Sequence, residues 1–254
     1  MHANISIIIP AYNNLSLFQR AFNSIITQTV TPKEIIVTDD STSDDIKQWV
    51  ESEQNPIVQY HKNNPSLGAI RNWNRGLDFA TCDYVIVLHH DEELSDENYI
   101  ERLLLYFDSS DIVISDIRIR INSIVKRGHF CGHLKRLLLK IPESILCINY
   151  IGPCACVAFR RSILKYFDSN LTWLVDTEWY YRLMIATRNI KYASDLCIIS
   201  NHGHADQITS NIDIEDKNKE DNKYLKNKYI GRKKIIFSLE INGVLMKVKT
   251  FIGK

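Results

Sequence analysis

Two short apolar runs of this 254-residue chain are each followed by side chains that suit ligand contact. The runs lie at 5–9 and 35–37 and are rich in isoleucine and valine. Carboxylates, an amide and a phenol ring follow them, and such groups can hydrogen-bond to a nucleoside or stack on its base. The residues concerned are Pro10, Tyr12, Asn13, Asp39 and Asp40. If the runs are neighbouring strands, these side chains form a site of the size of a nucleotide.

The elements around these residues predict that the two strand ends meet. The β-branched run at 5–9 predicts a strand that Pro10 ends, and 35–37 predicts a second buried strand. Between them, apolar residues at 17–26 recur at helical spacing. A strand–helix–strand unit of this length makes parallel neighbours, and ligands bind beyond the carboxyl ends of such strands. We therefore predict an α/β fold with a mostly parallel central sheet flanked by helices.

Similar patterns predict the remaining core elements. Strands are expected at 57–60, 83–88 and 111–116 and within 190–199, and helices at 69–80 and 98–107.

The acidic turn after the second strand has two interpretations. Ser43 could cap a helix, and Asp44 and Asp45 suit the positive end of its dipole. That interpretation does not need the two further carboxylates of Asp39 and Asp40 at the strand end. Tyr12 could stack on a base or be a buried aromatic of the loop.

A second acidic segment, His89-His90-Asp91-Glu92-Glu93, follows the strand at 83–88. The plain alternative is an acidic helix start, because a helical pattern follows. A zinc site from the two histidines and Asp91 is disfavoured, since adjacent residues at a strand end point apart.

Four segments together resemble one family: SIIIPAYNN, SIITQTVTPKEIIVTDDSTSDD, NWNRGLDFATCDYVIVLHHDEEL and VDTEWYYRL. Their order and spacing, over most of residues 4–205, resemble the inverting glycosyltransferases of family 2, which have the GT-A fold. The resemblance implies a GT-A domain at 1–212, with a nucleotide half at about 1–115 and an acceptor half at about 116–212. Residues 213–254 are expected to be a basic, amphipathic helical extension.

The resemblance implies a UDP-sugar donor held on the nucleotide side. Asp40 matches the carboxylate that accepts a hydrogen bond from the uracil imide, and Asp39 would order the loop or approach the ribose. Pro10, Tyr12 and Asn13 would hold the nucleoside, and His90 is assigned to the same subsite. Arg71 matches an arginine that reaches the diphosphate, although a helical arginine is also often a solvated surface residue.

The resemblance also implies a divalent cation, Mn²⁺ or Mg²⁺, between the two phosphates of the donor. Asp91 matches the last Asp of the family's Asp-x-Asp, and His89 stands where the first Asp is expected. His204 precedes Gln207-x-Thr209 and matches a histidine that would complete the metal shell or touch the diphosphate; its alternative is an exposed loop residue. Hard cations of this kind favour carboxylates together with substrate phosphates.

On the acceptor side, Asp176 matches the general base that removes the proton of the acceptor hydroxyl. Its alternative is an N-cap, a common role for aspartate at a helix start. Trp173 is a candidate platform for sugar stacking, Glu178 would bind acceptor hydroxyls or support the base, and Gly152 begins the acceptor-side segment. The expected reaction is inverting transfer from UDP-glucose, UDP-galactose or an N-acetyl form. The expected acceptor is an undecaprenyl-diphosphate-linked glycan of bacterial lipopolysaccharide, O-antigen or another surface polysaccharide.

Two other functions stay open at this point. A sugar nucleotidyltransferase would need a glycine-rich phosphate loop near the first strand, and PAYNN has none. A non-catalytic nucleotide-sugar-binding protein is suggested by His89 in place of aspartate.

Bulk properties narrow the setting. The net charge is +1, which gives no reason to expect a nucleic-acid partner. Six cysteines without a disulfide framework predict the reducing cytoplasm, and neither a signal peptide nor an apolar run of about 18 residues is visible. Lysines and apolar residues alternate in the tail, which predicts contact with the inner face of the cytoplasmic membrane or simple packing on the domain. The oligomeric state stays open.

Overall fold

The computed structural model describes residues 2–122, 124–127, 130–203 and 213–252. The strands of this part of the chain are β1 His2–Ala11, β2 Thr31–Asp39, β3 Val58–Lys62, β4 Tyr84–Val87, β5 Glu92–Leu94, β6 Ile112–Ile121, β7 Ile124–Arg127, β8 Val157–Arg160 and β9 Ile190–His202. The helices are α1 Leu15–Ile26, α2 Asp45–Glu53, α3 Ala69–Phe79, α4 Tyr99–Phe107, α5 Gly132–Leu138, α6 Val175–Ala186, α7 Ile214–Lys228 and α8 Lys233–Ile252. Each strand and helix predicted from the sequence is present, and the strand expected at 111–116 continues to Ile121.

The strands form one sheet in the order β3-β2-β1-β4-β8-β6-β9-β5, and β7 pairs with β6. Strands β3, β2, β1 and β4 are mutually parallel. The core of β1 is fully buried, as expected for a parallel strand covered by helices on both faces. The parallel order brings the carboxyl ends of these four strands to one edge.

Helix α3 packs unusually close to β1. Gly76 allows this approach, because a Cβ built on it would lie 2.2 Å from Cγ2 of Ile8. This contact holds α3 against β1.

Beyond β4 the sheet is mixed. Strand β8 runs antiparallel to both β4 and β6, β6 and β9 are parallel, and β5 is antiparallel to β9. The predicted α/β fold with a central sheet flanked by helices is confirmed, and its parallel character belongs mainly to the first half of the chain.

The predicted helical extension consists of α7 and α8, which pack on each other, and α8 also packs on the short 3₁₀ segment Pro142–Leu146. Leu225, Ile235 and Leu239 of these helices are buried. In the described part of the chain, no helix combines the length and apolarity that crossing a bilayer requires.

Candidate functional site

A cavity of about 1350 Å³ opens where β1, β2 and β4 end. Its wall continues through the start of α3, Ser169, residues 171–177 and one side of α8. This volume exceeds the roughly 300–1,000 Å³ of most small-molecule pockets, so the cavity has room for more than one small molecule. The predicted site residues on its wall are Pro10, Tyr12, Asp40, Arg71, His90, Asp91, Gly152, Trp173 and Asp176.

Two predicted nucleotide contacts lie elsewhere. The side-chain oxygen of Asn13 accepts hydrogen bonds from the backbone N–H and hydroxyl of Thr42, at 2.8 and 3.1 Å. Asp39 is buried and accepts from the backbone N–H of Ser41 at 2.8 Å and the hydroxyl of Tyr60 at 2.6 Å. Both residues therefore hold the loops after β1 and β2 together, which corrects the nucleotide contact predicted for Asn13 and agrees with the loop-ordering alternative for Asp39.

The role predicted for Asp40 also needs correction. Its carboxylate accepts four hydrogen bonds, from the side chains of Asn63 and Ser66 and the backbone N–H groups of Leu67 and Gly68, at 2.7–2.9 Å. Burial raises the pKa of this carboxyl group, but the four donors outweigh it, and the pKa is lowered. A carboxylate offers about four acceptor positions, so none remains for a uracil imide in this arrangement. Asp40 instead fixes the loop that leads into α3.

Three other predicted donor-side residues face the cavity. Tyr12 is 43% exposed, which excludes the buried-aromatic alternative and leaves its ring available for stacking. Arg71 is exposed in the first turn of α3. Nδ1 of His90 lies 3.3 Å from the carbonyl oxygen of Pro10, so this histidine is held against the end of β1.

The segment after β4 is not the acidic helix start that its sequence allowed. Glu92 begins the short strand β5, which pairs with β9, and its side chain is buried. Ligand atoms of His89, Asp91 and Glu92 lie within 4.8 Å of one another. Glu92 thus joins the predicted metal ligand Asp91, a role that the sequence did not distinguish from helix capping. His204, the other predicted ligand, lies outside the described residues.

The donor set of this cluster fits a divalent cation. Burial raises the pKa of Glu92, even though the backbone N–H of His89 donates to its carboxylate at 2.8 Å. Burial would lower the pKa of His89, but Glu92 and Asp91 outweigh it and raise the pKa to about 9. A nearby cation would favour the charged form of Glu92 and so offset the effect of burial on this carboxylate. We refer to His89, Asp91 and Glu92 as the acidic cluster.

Residues of β6 and β9 contact the chain segment that carries the acidic cluster. The backbone carbonyl of Asp91 accepts from the backbone and side-chain N–H groups of Asn201 at 2.8 and 3.0 Å. The same side chain donates to Glu93 at 2.8 Å, and Arg120 pairs with Glu93. These contacts fix the backbone that carries Asp91.

Asp176 is the second residue of α6, whose N-cap is Leu174, so the N-cap alternative for Asp176 is wrong. The thiol of Cys154 donates to its carboxylate at 3.1 Å. Burial raises the pKa of Asp176, and the charge of His89 together with this thiol opposes the increase. A carboxylate with a raised pKa on a cavity wall suits proton removal from a hydroxyl group.

Glu178 does not contact the cavity, which corrects its predicted acceptor role. Its carboxylate is fully buried and accepts from Arg182 at 2.8 and 2.9 Å. Lys228, the last residue of α7, and Tyr229, the C-cap that follows it, donate to it at 2.7 Å each. The residue is therefore an internal anchor between α6 and α7.

The end of the cavity next to α8 includes residues that the sequence did not identify. Ile148, Leu245 and Val248 line it and are also exposed, so the cavity opens to solvent past apolar side chains. Asn242 of α8 lines the same end and donates to the carbonyl of Cys147 at 3.1 Å. No local pattern in the sequence links α8 to this wall, because the contacts span about a hundred residues.

Comparison with known proteins gives a family match and similar folds. The profile of the family described as glycosyl transferase family 2 matches residues 6–167. A 93-residue stretch is 39% identical to the GalNAc(5)-diNAcBac-PP-undecaprenol beta-1,3-glucosyltransferase of Campylobacter jejuni, covering 35% of this chain and 30% of that protein. The chain spans 62% and 30% of the lengths of the first two curated relatives that it matches.

Among solved structures, S. aureus TarS 1–349 in complex with UDP-GlcNAc superposes with a TM-score of 0.73 and 18% identity, over 95% of this chain and 70% of that one. The mannosyltransferase PcManGT of Pyrobaculum calidifontis, in complex with GDP-Man and Mn²⁺, gives a TM-score of 0.64 and 15% identity, over 96% and 70%. At these identities the likeness shows the GT-A type of fold.

Proposed function

This chain belongs to glycosyl transferase family 2, and from that premise we propose that it transfers a sugar from a UDP-sugar to a hydroxyl group of a glycan, with inversion. The observation that carries the proposal is that one cavity is lined by the predicted donor-side residues, the acidic cluster and Asp176. A nucleotide-binding protein without turnover does not require a carboxylate of raised pKa, such as Asp176, on the wall of the same cavity.

The donor half of the proposal rests on the ends of β1 and β2 and the start of α3. Tyr12 would stack on the base, and Arg71 would contact the diphosphate, which suits a planar cation. TarS binds UDP and UDP-GlcNAc, which favours uridine as the base, and the mannosyltransferase with GDP-Man makes guanosine the alternative to test.

In the proposed reaction, Asp176 accepts the proton of the acceptor hydroxyl as its oxygen attacks the anomeric carbon. The new glycosidic bond forms while the bond from that carbon to the diphosphate breaks, so UDP leaves with the bonding electrons. Attack from the face opposite the leaving group converts an α-linked donor into a β-linked product.

Asp91 and Glu92 would hold Mg²⁺ or Mn²⁺, with His89 as a nitrogen ligand in its neutral form. The bound cation would offset the negative charge that develops on the leaving diphosphate. Mn²⁺ accompanies the nucleotide in structures of two similar folds, which supports a divalent ion here.

We propose a lipid-linked glycan as acceptor, made at the inner face of the cytoplasmic membrane for a bacterial surface polysaccharide. The apolar mouth formed by Ile148, Leu245 and Val248 suits the hydrocarbon next to such a glycan. The Campylobacter relative carries an undecaprenol-linked acceptor in its name, which supports the same class.

The donor half is tested by thermal-shift titration with UDP, GDP, CDP and dTDP, each with and without Mn²⁺. We expect UDP to stabilise the protein most, and more strongly with the metal. Preference for GDP or CDP would refute the uridine assignment.

The reaction is tested by measuring UDP release and product formation with Asp176→Asn, using UDP-sugars and undecaprenyl-diphosphate-linked acceptors. We expect transfer to fall at least 1,000-fold with UDP binding unchanged, because one proton acceptor is removed. Asp195→Asn is the matched control, since Asp195 bonds to Tyr106 away from the cavity. Full transfer by Asp176→Asn would refute the base, and release of pyrophosphate would indicate a nucleotidyltransferase.

A further inference from the structure

Helix α7 reaches the cavity wall through one buried carboxylate. Asp221 is 3% exposed and is not among the described residues that line the cavity. Its Oδ2 accepts hydrogen bonds from the backbone N–H groups of Thr172, Trp173 and Leu174 at 3.0, 2.6 and 2.8 Å. These three consecutive residues all line the cavity.

The same segment leads directly into helix α6. Leu174 is the N-cap of α6 and makes no side-chain capping bond. N–H groups at a helix start lack partners within the helix, and a carboxylate placed there is stabilising. Asp221 supplies that carboxylate from another helix, α7. Leu174, the last of the three residues that donate to Asp221, lies two residues before Asp176.

A second contact from α7 holds α6 just after Asp176. Lys228 and Tyr229 each donate to the buried carboxylate of Glu178 at 2.7 Å. Helix α7 thus anchors the wall segment 172–174 through Asp221 and the first turn of α6 through Glu178. All of these anchors lie beyond residues 6–167, which the family profile matches.

We propose that Asp221 is a positioning residue for the acceptor half of the site, an inference that rests on the proposed transfer reaction. It holds Trp173 and the start of α6 so that the acceptor hydroxyl meets the carboxylate of Asp176. Small displacements of such groups reduce the rate strongly, because attack needs a defined distance and direction. The donor pocket is built on β1, β2 and α3, so its affinity for UDP does not depend on Asp221.

The positioning is tested first without turnover, by amide hydrogen exchange of Asp221→Asn. Asparagine has the same size as aspartate. It would place either its NH₂ group, which cannot accept, or its uncharged amide oxygen, a weaker acceptor, against the three backbone N–H groups. We expect exchange in a peptide covering 170–178 to rise at least tenfold, and exchange in 69–79 to stay within twofold. The matched control is Asp213→Ala, which removes the N-cap bond of Asp213 to the backbone of Asp216 on the same helix but leaves the wall segment alone.

The second readout compares the effect of the substitution on kcat/KM for the acceptor with its effect on the Kd of UDP. We expect Asp221→Asn to lower kcat/KM for the acceptor at least tenfold, with the Kd of UDP within twofold of the wild type. Unchanged exchange at 170–178 in folded Asp221→Asn, or an equal loss for donor and acceptor, would overturn the role of Asp221. Absence of transfer by the wild-type protein would instead refute the proposed reaction, while the exchange result would still decide the positioning.

If Asp221→Asn does not fold, Tyr229→Phe tests the second anchor with the loss of one hydroxyl group. We expect the same pattern at smaller size, about threefold in exchange at 170–178 and in acceptor kcat/KM. Wild-type exchange and acceptor kinetics in Tyr229→Phe would overturn the proposal that α7 positions this wall.

Discussion

Lys228 of α7 forms ion pairs with two carboxylates of low exposure, those of Asp168 and Glu178. Its Nζ lies 2.5 Å from Asp168 and 2.7 Å from Glu178, whose side chains are 10% and 0% exposed. Replacing it by methionine keeps much of the length and removes the charge. We expect Lys228→Met to destabilise the folded protein.

The magnitude follows from the pKa of Asp168. Burial alone would raise it, but hydrogen bonds from Lys228, Asn170 and Tyr224 outweigh burial and lower the pKa from 3.8 to about 2. Such a shift corresponds to about 2.4 kcal/mol for all donors together, of which we assign about 1 kcal/mol to Lys228. Loss of one donor to Glu178 adds about 1 kcal/mol, since Arg182 and Tyr229 remain. The total of about 2 kcal/mol lowers Tm by about 6 °C for a chain of this length.

The pH dependence has a defined sign. A carboxyl group with a depressed folded pKa stabilises the protein above its unfolded value, and the contribution is lost as pH falls from about 4 to about 2. The difference in free energy of unfolding between wild type and Lys228→Met should therefore shrink as pH falls from about 4 to about 2. The decrease should equal the part of that difference that comes from Asp168.

The assay is denaturant unfolding of wild type, Lys228→Met, Asp168→Asn and the double variant at pH 7. We expect a coupling energy of about 1 kcal/mol between the two sites. Lys217→Met is the control, because Lys217 forms an exposed pair with Glu220 on the same helix, and no measurable change is expected. Additive free energies in the cycle would refute the inference that Lys228 lowers the pKa of Asp168.

Three further predictions concern the site and its support. Asp91→Asn should abolish the extra thermal stabilisation that Mn²⁺ gives to the UDP complex, because it removes a carboxylate of the acidic cluster; an unchanged Mn²⁺ effect would refute the metal assignment. Gly76→Ala should cost about 2–3 kcal/mol in denaturant unfolding, since its Cβ would meet Ile8, while Gly243→Ala, with open space around it, should be neutral or stabilising. Asp40→Asn should cost about 2 kcal/mol and weaken UDP binding through the loop it holds, and unchanged stability would contradict the four-bond arrangement.

The first half of the fold was predictable because its signals are local. An apolar run ended by Pro10, a helical repeat and a second apolar run are contiguous in sequence and become β1, α1 and β2. The edge at which Tyr12 and Asp91 meet follows from the parallel order of these strands.

What the sequence left open depends on distant partners. Glu92 is in a strand and not at a helix start because it pairs with Ser200, more than a hundred residues away. Two of the four hydrogen bonds to Asp40 come from backbone N–H groups. Every residue type except proline has such a group, so these bonds cannot be predicted from residue types. Glu178 is an anchor because Lys228 of α7 donates to it. No local sequence pattern around Glu178 predicts that α7 packs there.

The anchoring of the acceptor wall by α7 also sets an order of assembly during synthesis. Every strand that the structure describes precedes α7 in the chain, so the proposed donor side can form while Asp221 is still being translated. Until Asp221 and Lys228 emerge, the segment at 172–174 lacks its carboxylate cap and Glu178 lacks its partners from α7. For the proposed reaction, a ribosome-bound intermediate would therefore retain a nucleotide before it can direct a hydroxyl group towards that nucleotide.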